Sequence, residues 1–326
     1  MRKIKNIILQ EILTILLLII SVLVISISIA FYSLNVKSDT TFLIQENTST
    51  REIAKSLVAN NVIDYQMSFY FFAQIYCKIL NKPIIAGEYL LKAGSNALEL
   101  MKALTAGKVI QHQILIQEGL TINQVLKKIS SIKNIKHSDL SIRISEGSIL
   151  ADTYFYIYGS SDIDIINRMR NAMNNFLTLE WPKRDKKIDN IISSLEEVVI
   201  LASIIEKETY IDTEKPLIAG VYLNRLKRNM KLQADPTVVY GLGLDENKDW
   251  NRRVLFSHLK IDSPYNTYTR KGLPPTPICN PGKDAILAVL HPQWTEKLFF
   301  VSKGSGKHIF ASNFEQHKRN IQLVKR

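Results

Sequence analysis

The longest apolar stretch of the chain covers residues 12–32 and contains no charged side chain. About 20 such residues are needed to cross the hydrocarbon core of a membrane as a helix. Three basic residues precede the stretch: Arg2, Lys3 and Lys5. Because basic residues favour the cytoplasmic side, the pattern predicts a cytoplasmic N-terminus over 1–11, a single transmembrane helix over 12–32 and export of the remainder.

A cleaved signal peptide is the alternative interpretation of the same stretch. The residues Ser28, Ile29 and Ala30 resemble the small-residue pattern of a cleavage site. However, the apolar stretch is longer than the roughly 7–15 residues of a signal-peptide core. A retained anchor in the inner (cytoplasmic) membrane is therefore preferred, with the rest of the chain on its outer side.

After residue 40, one pattern occurs three times: a short apolar strand, a residue that tolerates positive φ, and an amphipathic helix. The strand patterns cover 42–44, 89–91 and 114–116, and the turn residues are Asn47, Gly94 and Gly119. These repeats predict a small module of strands and helices. They are either ordinary structural pieces that pack on each other, which the pattern favours, or a module that grips an extended polymer.

A nearly all-apolar helix pattern begins near Leu195 and ends with two carboxylates, Glu206 and Glu208. Side chains two residues apart point about 200° apart around a helix, so both cannot serve one cleft. Glu208 continues the apolar stripe of Leu201 and Ile205, where desolvation would raise its pKa and keep it protonated for use as an acid. Two solvated glutamates at a helix end remain the alternative for this segment alone.

Loops rich in proline follow this helix, over residues 232–241 and 263–278. They also carry many Tyr, Asn and Thr side chains, whose aromatic faces, amides and hydroxyls suit a sugar polymer. Structural turns would explain the prolines equally well, but not the density of these polar and aromatic side chains.

Composition narrows the class of protein. With 326 residues, 46% hydrophobic and 22% charged, the chain is predicted to be globular with two folded units. Its net charge of +12 suits an anionic partner, but no nucleic-acid-binding motif accompanies it, so no nucleic-acid partner is predicted. Cys77 and Cys279 form no metal or redox motif, and whether they pair is left open. No metal and no cofactor are predicted.

Nine short motifs in unbroken order between residues 195 and 320 closely resemble the endolytic murein transglycosylase family. They cover 202–209, 221–226, 232–237, 265–268, 272–275, 280–282, 291–292, 300–301 and 308–310. The resemblance implies an α+β fold: a single N-terminal transmembrane helix, a small LysM-like α+β module over 40–118 and an α+β catalytic domain over 119–326.

The resemblance also implies an activity and its partners. The enzyme would be a lyase that cleaves the β-1,4 bond between N-acetylmuramic acid and N-acetylglucosamine within nascent peptidoglycan strands. The product would carry a 1,6-anhydro ring, and the cut would end strand elongation. The implied partners are the glycan strands, the cytoplasmic membrane and, from the position of the anchor, peptidoglycan synthases.

Carried over to this chain, the family's catalytic glutamate is Glu208, and Glu206 is kept as a reserve. One carboxyl group would act first as the acid and then as the base, whereas ordinary glycoside hydrolysis usually needs two. Asp235 would either assist electrostatically or cap a local turn. The positions expected around the sugar are Gln233, Asp235, Thr237, Tyr240, Tyr265, Asn266 and Tyr268.

One departure from the family pattern lies over 146–154, where the Asp-Thr-Tyr motif lacks its usual aromatic and proline lead-in. This puts in doubt a substrate contact by that loop. Two alternative functions remain. The first is a membrane-anchored protein that binds peptidoglycan without cleaving it. The second is a muramidase that uses water, with Glu208 as the acid and Asp235 as the base.

Overall fold

The computed structural model describes residues 2–33, 36–138, 144–243, 254–304 and 306–324. The chain divides into two compact units: unit 1 is Met1–His112 with Tyr156–Gly159, and unit 2 is Gln113–Phe155 with Ser160–Arg326. Helices combined with small two-stranded sheets confirm the predicted α+β class. The predicted functional domains, 40–118 and 119–326, stay predictions.

Unit 1 contains most of the N-terminal elements. In chain order these are α1 (Arg2–Ser33), β1 (Thr40–Ile44), α2 (Thr50–Ala59), α3 (Gln66–Leu80), β2 (Gly87–Leu91) and α4 (Ala97–Ala106). Strands β1 and β2 are antiparallel, with Thr40 opposite Leu91 and Ile44 opposite Gly87. Their inner faces and the helices bury one hydrophobic core, in which Leu57, Phe69 and Tyr89 are almost fully enclosed.

The first element, α1, includes the stretch predicted to cross a membrane. Its apolar side chains from Ile12 to Ile25 are exposed. Within the residues that the structure describes, no helix has both the length and the apolar character needed to span a membrane. The transmembrane segment predicted for 12–32 is therefore not confirmed.

Unit 2 contains the remaining elements, except that His112 at the start of β3 and Tyr156 at the end of β4 belong to unit 1. These are β3 (His112–Leu115), α5 (Ile122–Ser130), β4 (Thr153–Tyr156), α6 (Asp162–Glu180), α7 (Leu195–Glu208), α8 (Lys215–Lys227), α9 (Asp235–Gly241), α10 (Lys283–Leu290), β5 (Phe299–Ser302), β6 (His308–Ala311) and α11 (Phe314–Val324). Strand β3 pairs with β4, and β5 pairs antiparallel with β6.

The three predicted strand–turn–helix repeats are present. Asn47, Gly94 and Gly119 all have positive φ, as the pattern predicted. Each following helix, α2, α4 and α5, begins with a capping box, in which the N-cap side chain and the side chain three residues later satisfy each other's backbone N–H groups. The first two repeats share the core of unit 1, whereas the third belongs to unit 2.

The centre of unit 2 is α7, which packs against α8, α9 and α10. Every residue from Val198 to Ile205 is buried, so the helix has no solvent-facing side along most of its length. A hydrogen bond from the backbone N–H of Ile278 to the Ser203 hydroxyl (3.0 Å) ties a loop to it. The C-terminal end of α7 is therefore held firmly by the core.

Candidate active site

Glu208 is the last residue of α7 and lies half-buried where that helix leaves the core. The Tyr222 hydroxyl donates a hydrogen bond of 2.6 Å to its Oε1 atom. Burial raises the pKa of Glu208 to about 7. The Tyr222 hydrogen bond and the positive charge of Arg225 lower this pKa, whereas the negative charge of Asp235 raises it. Desolvation is thus the dominant cause, as the apolar stripe of α7 predicted.

Two residues of α8, Tyr222 and Arg225, are one helical turn apart and face the same region as Glu208. Arg225 is buried, and its guanidinium donates to the backbone carbonyl oxygens of Leu298 (Nε, 2.6 Å) and Leu232 (Nη1). Burial lowers the pKa of Arg225. These bonds join α8 to the segments before α9 and β5, so Arg225 helps to hold the surroundings of Glu208 in place.

A cleft of about 600 Å³ opens beside Glu208, and three predicted sugar-contacting residues line it: Gln233, Asp235 and Tyr268. The Tyr268 hydroxyl donates to Asp235 Oδ1 at 2.6 Å. Gln233 has a left-handed backbone (φ 50°), and its N–H donates to the Thr267 carbonyl at 3.1 Å. The structure therefore brings these three side chains together with Glu208.

Most of the remaining lining comes from the β5–β6 hairpin, α11 and Phe256. These lining residues are Phe256, Phe299, Phe300, Val301, Ser302, His308, Phe314, His317 and Ile321. The Phe300 ring packs edge-on against Tyr222 (5.7 Å between centroids) and against His308 (5.3 Å). The sequence interpretation assigned no site role to any of these residues. Of these residues, only Phe300, Val301 and His308 lie in the motifs that resemble the transglycosylase family. Arg225 also lies in one of these motifs, but no function was predicted for it.

Four other predicted sugar-contacting residues do not line the cleft. Thr237 and Asn266 are buried and use their polar atoms inside the protein. The Thr237 hydroxyl bonds to the Ala234 carbonyl and to Thr267, and the Asn266 amide donates to Ile261 and Leu259 carbonyls while accepting from the Tyr268 N–H. Both residues therefore support the loops that carry Asp235 and Tyr268.

Tyr240 and Tyr265 pack against each other instead, with ring centroids 4.9 Å apart. The Tyr265 hydroxyl shares a hydrogen bond of 2.7 Å with Thr276. Neither ring is among the residues that line the cleft. The pair joins α9 to the Pro-rich loop that follows it.

The reserve candidate, Glu206, has a different environment from Glu208. Its side chain is only 5% exposed and forms an ion pair of 3.1 Å with Lys215, which is 1% exposed. It also accepts the backbone N–H of Gly282 at 3.0 Å. Burial alone would lower the pKa of Lys215, but Asp212, Glu206 and Glu118 outweigh it and raise that pKa. Glu206 therefore acts as a structural counter-ion and does not line the cleft.

Among the described residues, no group of three His, Cys, Asp or Glu side chains is arranged to hold a metal ion. Cys77 and Cys279 are both free thiols. A half-buried carboxylic acid whose pKa lies near neutrality, at the edge of a cleft large enough for a ligand, is typical of an acid–base enzyme.

Comparison with known proteins identifies the family. Residues 42–323 match the YceG-like family, and the chain belongs to that family. It is 31% identical over 321 residues to the endolytic murein transglycosylase of Bacillus subtilis (strain 168), covering 87% of this chain and 84% of that protein.

Two further matches agree. The endolytic murein transglycosylase of Streptococcus pneumoniae (strain R6) is 27% identical over 332 residues, and the match covers 88% of this chain but only 58% of that longer protein. A crystal structure of a YceG-like protein from Listeria monocytogenes superposes with a TM-score of 0.51 at 28% identity, covering 87% of this chain and 99% of that one.

Proposed function

We propose that the chain is an endolytic murein transglycosylase that cuts glycan strands of peptidoglycan, with Glu208 as its catalytic group. The proposal is carried by the half-buried Glu208 carboxyl, whose pKa of about 7 lets it hold and release a proton near neutral pH. The names of the Bacillus and Streptococcus relatives supply the substrate class and the endolytic mode.

The reaction uses this one carboxyl group twice. Protonated Glu208 gives its proton to the oxygen that links N-acetylmuramic acid to the next sugar, and the glycosidic bond breaks. The resulting carboxylate then removes the proton of the C6 hydroxyl of the same muramic acid, whose oxygen closes the 1,6-anhydro ring. Because Tyr222 already donates to Oε1, Oε2 is the oxygen that carries the proton.

Asp235 supports the alternative of a water-using muramidase, because it lines the same cleft as Glu208. Its Oδ1 atom accepts the Tyr268 hydroxyl. In the transglycosylase mechanism Asp235 instead stabilises the positive charge that develops on the sugar ring. The products separate the two reactions, since only the transglycosylase leaves anhydro ends.

The test is mass spectrometry of glycan strands incubated with the full-length protein. Anhydro-ended fragments are expected from the wild type, and Glu208→Gln should release them about 10²–10⁴ times more slowly, as expected for loss of a general acid. Glu196→Gln, an exposed change at the other end of α7, is the matched control and should leave the rate unchanged.

Each contrary result has a defined meaning. Reducing ends in place of anhydro ends would favour the muramidase, and binding without any product would favour a peptidoglycan-binding protein. Full activity of Glu208→Gln, together with an inactive Glu206→Gln, would move the catalytic role to Glu206.

Membrane anchoring through residues 12–32 is part of the same proposal. It is supported by the uncharged sequence of that stretch and the exposed apolar side chains of α1. The anchor would keep the enzyme at the inner membrane, with its active site outside, where peptidoglycan synthases produce new strands. Resistance of the full-length protein to alkaline carbonate extraction is expected; release into the soluble fraction would reject the anchor.

A LysM-like role for residues 40–118 also belongs to this proposal. It is supported by the two capped strand–turn–helix repeats that share the core of unit 1. Substitution of exposed side chains of these repeats should weaken binding of the full-length protein to glycan strands while the rate constant for cleavage stays the same. Unchanged binding in every such variant would remove the proposed role.

A further inference from the structure

His308 of β6 lines the cleft and is paired with Glu214. The His308 Nδ1 atom lies 2.8 Å from Glu214 Oε2, and the His308 backbone N–H donates to Glu214 Oε1 at 3.1 Å. Only 6% of the His308 side chain and 16% of the Glu214 side chain are exposed. One carboxylate therefore fixes both the backbone and the ring of this histidine.

This arrangement determines which ring nitrogen is available. An ionised carboxylate only accepts hydrogen bonds, so Nδ1 must carry the proton that is shared with Glu214. In the neutral ring the other nitrogen, Nε2, is then an acceptor. Within the described ranges no group forms a hydrogen bond with Nε2, although His308 lines the cleft.

The position of His308 relative to Glu208 follows from the Phe300 ring. Phe300 packs edge-on against Tyr222 on one side and against His308 on another, and Tyr222 donates to Glu208. Two aromatic side chains in contact, Tyr222 and Phe300, thus connect the carboxyl that would do the chemistry to an imidazole of fixed tautomer. The wall between them presents an apolar face beside a hydrogen-bond acceptor, a combination that suits a sugar ring.

We propose that His308, oriented by Glu214, binds the saccharide by accepting a hydrogen bond at Nε2 from a sugar hydroxyl or an acetamido N–H. The inference deepens the proposed function, because it assigns a substrate-binding role to the β5–β6 wall of the same cleft. His308 holds the strand in position and takes no part in proton transfer. Its loss should therefore raise KM and leave kcat nearly unchanged.

Two variants test the tautomer and the contact separately. In Glu214→Gln, the new amide oxygen must face the His308 backbone N–H, because that group only donates hydrogen bonds. The amide NH₂ group then faces Nδ1 and donates to it, so the ring proton moves to Nε2. In His308→Asn, the side-chain amide nitrogen takes the place of Nδ1 and keeps the bond to Glu214, but nothing replaces Nε2. Glu196→Gln is the matched control, because it removes an exposed carboxylate of the same unit that does not line the cleft.

The measurement is the Kd of purified glycan strands for each variant in the Glu208→Gln background, together with ¹⁵N NMR of the His308 ring. His308→Asn should bind about tenfold more weakly, the effect of one unmade hydrogen bond. Glu214→Gln should weaken binding equally if the partner is an acetamido N–H, which only donates, and should leave it unchanged if the partner is a hydroxyl, which can reverse the bond. Glu196→Gln should bind normally. The NMR signals should show the ring proton on Nδ1 when Glu214 is present and on Nε2 in the Glu214→Gln variant.

Unchanged affinity of folded His308→Asn, or no strand binding at all, would overturn the role of His308. Cleavage is measured separately with the Glu208-containing protein. If that protein yields no product while the Glu208→Gln background binds strands through His308, the transglycosylase proposal fails and the binding role of His308 stands. If it cleaves normally and His308→Asn has the wild-type KM, only the binding role fails.

Discussion

Replacement of Glu208 by glutamine should make the protein more stable at alkaline pH. The folded protein holds the Glu208 proton up to about pH 7, whereas the ordinary pKa of a glutamate is 4.5. Between these values the folded state binds more protons than the unfolded state, so stability falls as the pH rises through this window. Glutamine does not ionise and therefore escapes this loss.

The size of the effect follows from the two pKa values. A shift of one pKa unit corresponds to about 1.4 kcal/mol. Raising the pKa of Glu208 from 4.5 to about 7 therefore lowers the free energy of unfolding at high pH by about 3 kcal/mol. The full loss is present above pH 7, and none of it below pH 4. The difference in unfolding free energy between Glu208→Gln and the wild type should therefore shift in favour of the variant by up to about 3 kcal/mol from pH 4 to pH 8.

Urea unfolding of the full-length protein at both pH values measures this difference. Unit 1 contains no tryptophan, whereas all three tryptophans of the sequence lie within the range of unit 2, so tryptophan fluorescence reports the unit that contains Glu208. Glu196→Gln on the same helix should show no such gain. If Glu208→Gln and the wild type differ by the same free energy at pH 4 and pH 8, then Glu208 is not desolvated as the structure indicates.

Three further substitutions have defined outcomes. Tyr222→Phe removes the hydrogen bond that favours ionised Glu208, so the pKa of Glu208 should rise. The pH above which kcat/KM falls should then increase by about 1–2 units, and an unchanged pH profile would exclude this hydrogen bond. Lys215→Met leaves Glu206 buried without its counter-ion and should cost about 3–5 kcal/mol of unfolding free energy in urea, whereas wild-type stability would contradict the buried pair. Asn266→Ala should cost about 2–4 kcal/mol in the same assay, and a loss of activity without a loss of stability would indicate a direct contact with the sugar.

Local features of the fold were predictable from sequence because their causes are local. The sequence pattern placed a residue that tolerates positive φ between each strand and the following amphipathic helix. The structure confirms positive φ at all three of these positions, Asn47, Gly94 and Gly119. The unbroken apolar run of α7 likewise predicted its burial and the raised pKa of Glu208. In both cases neighbouring residues determine the outcome.

The rest of the site depends on contacts between distant parts of the chain. Thr237 and Asn266 have the polar side chains expected of sugar-binding residues, but hydrogen bonds to Thr267 and to backbone carbonyls use them inside the protein. The wall of β5, β6 and α11 was missed because its Phe and His side chains have no local signature of a binding site. Only the fold places Phe300 against Tyr222 and His308 against Glu214.

The two walls of the cleft have a consequence for when the enzyme is active. Glu208 ends a helix in the middle of the chain, whereas β5, β6 and α11, which line the same cleft, lie near the C-terminal end of the sequence. Such a cleft exists only after these non-local contacts have formed, and contacts between distant parts of a chain carry a large cost in loop-closure entropy. A partly folded chain has the carboxyl group but no cleft, so an enzyme able to cut the cell wall would stay harmless until it is fully folded.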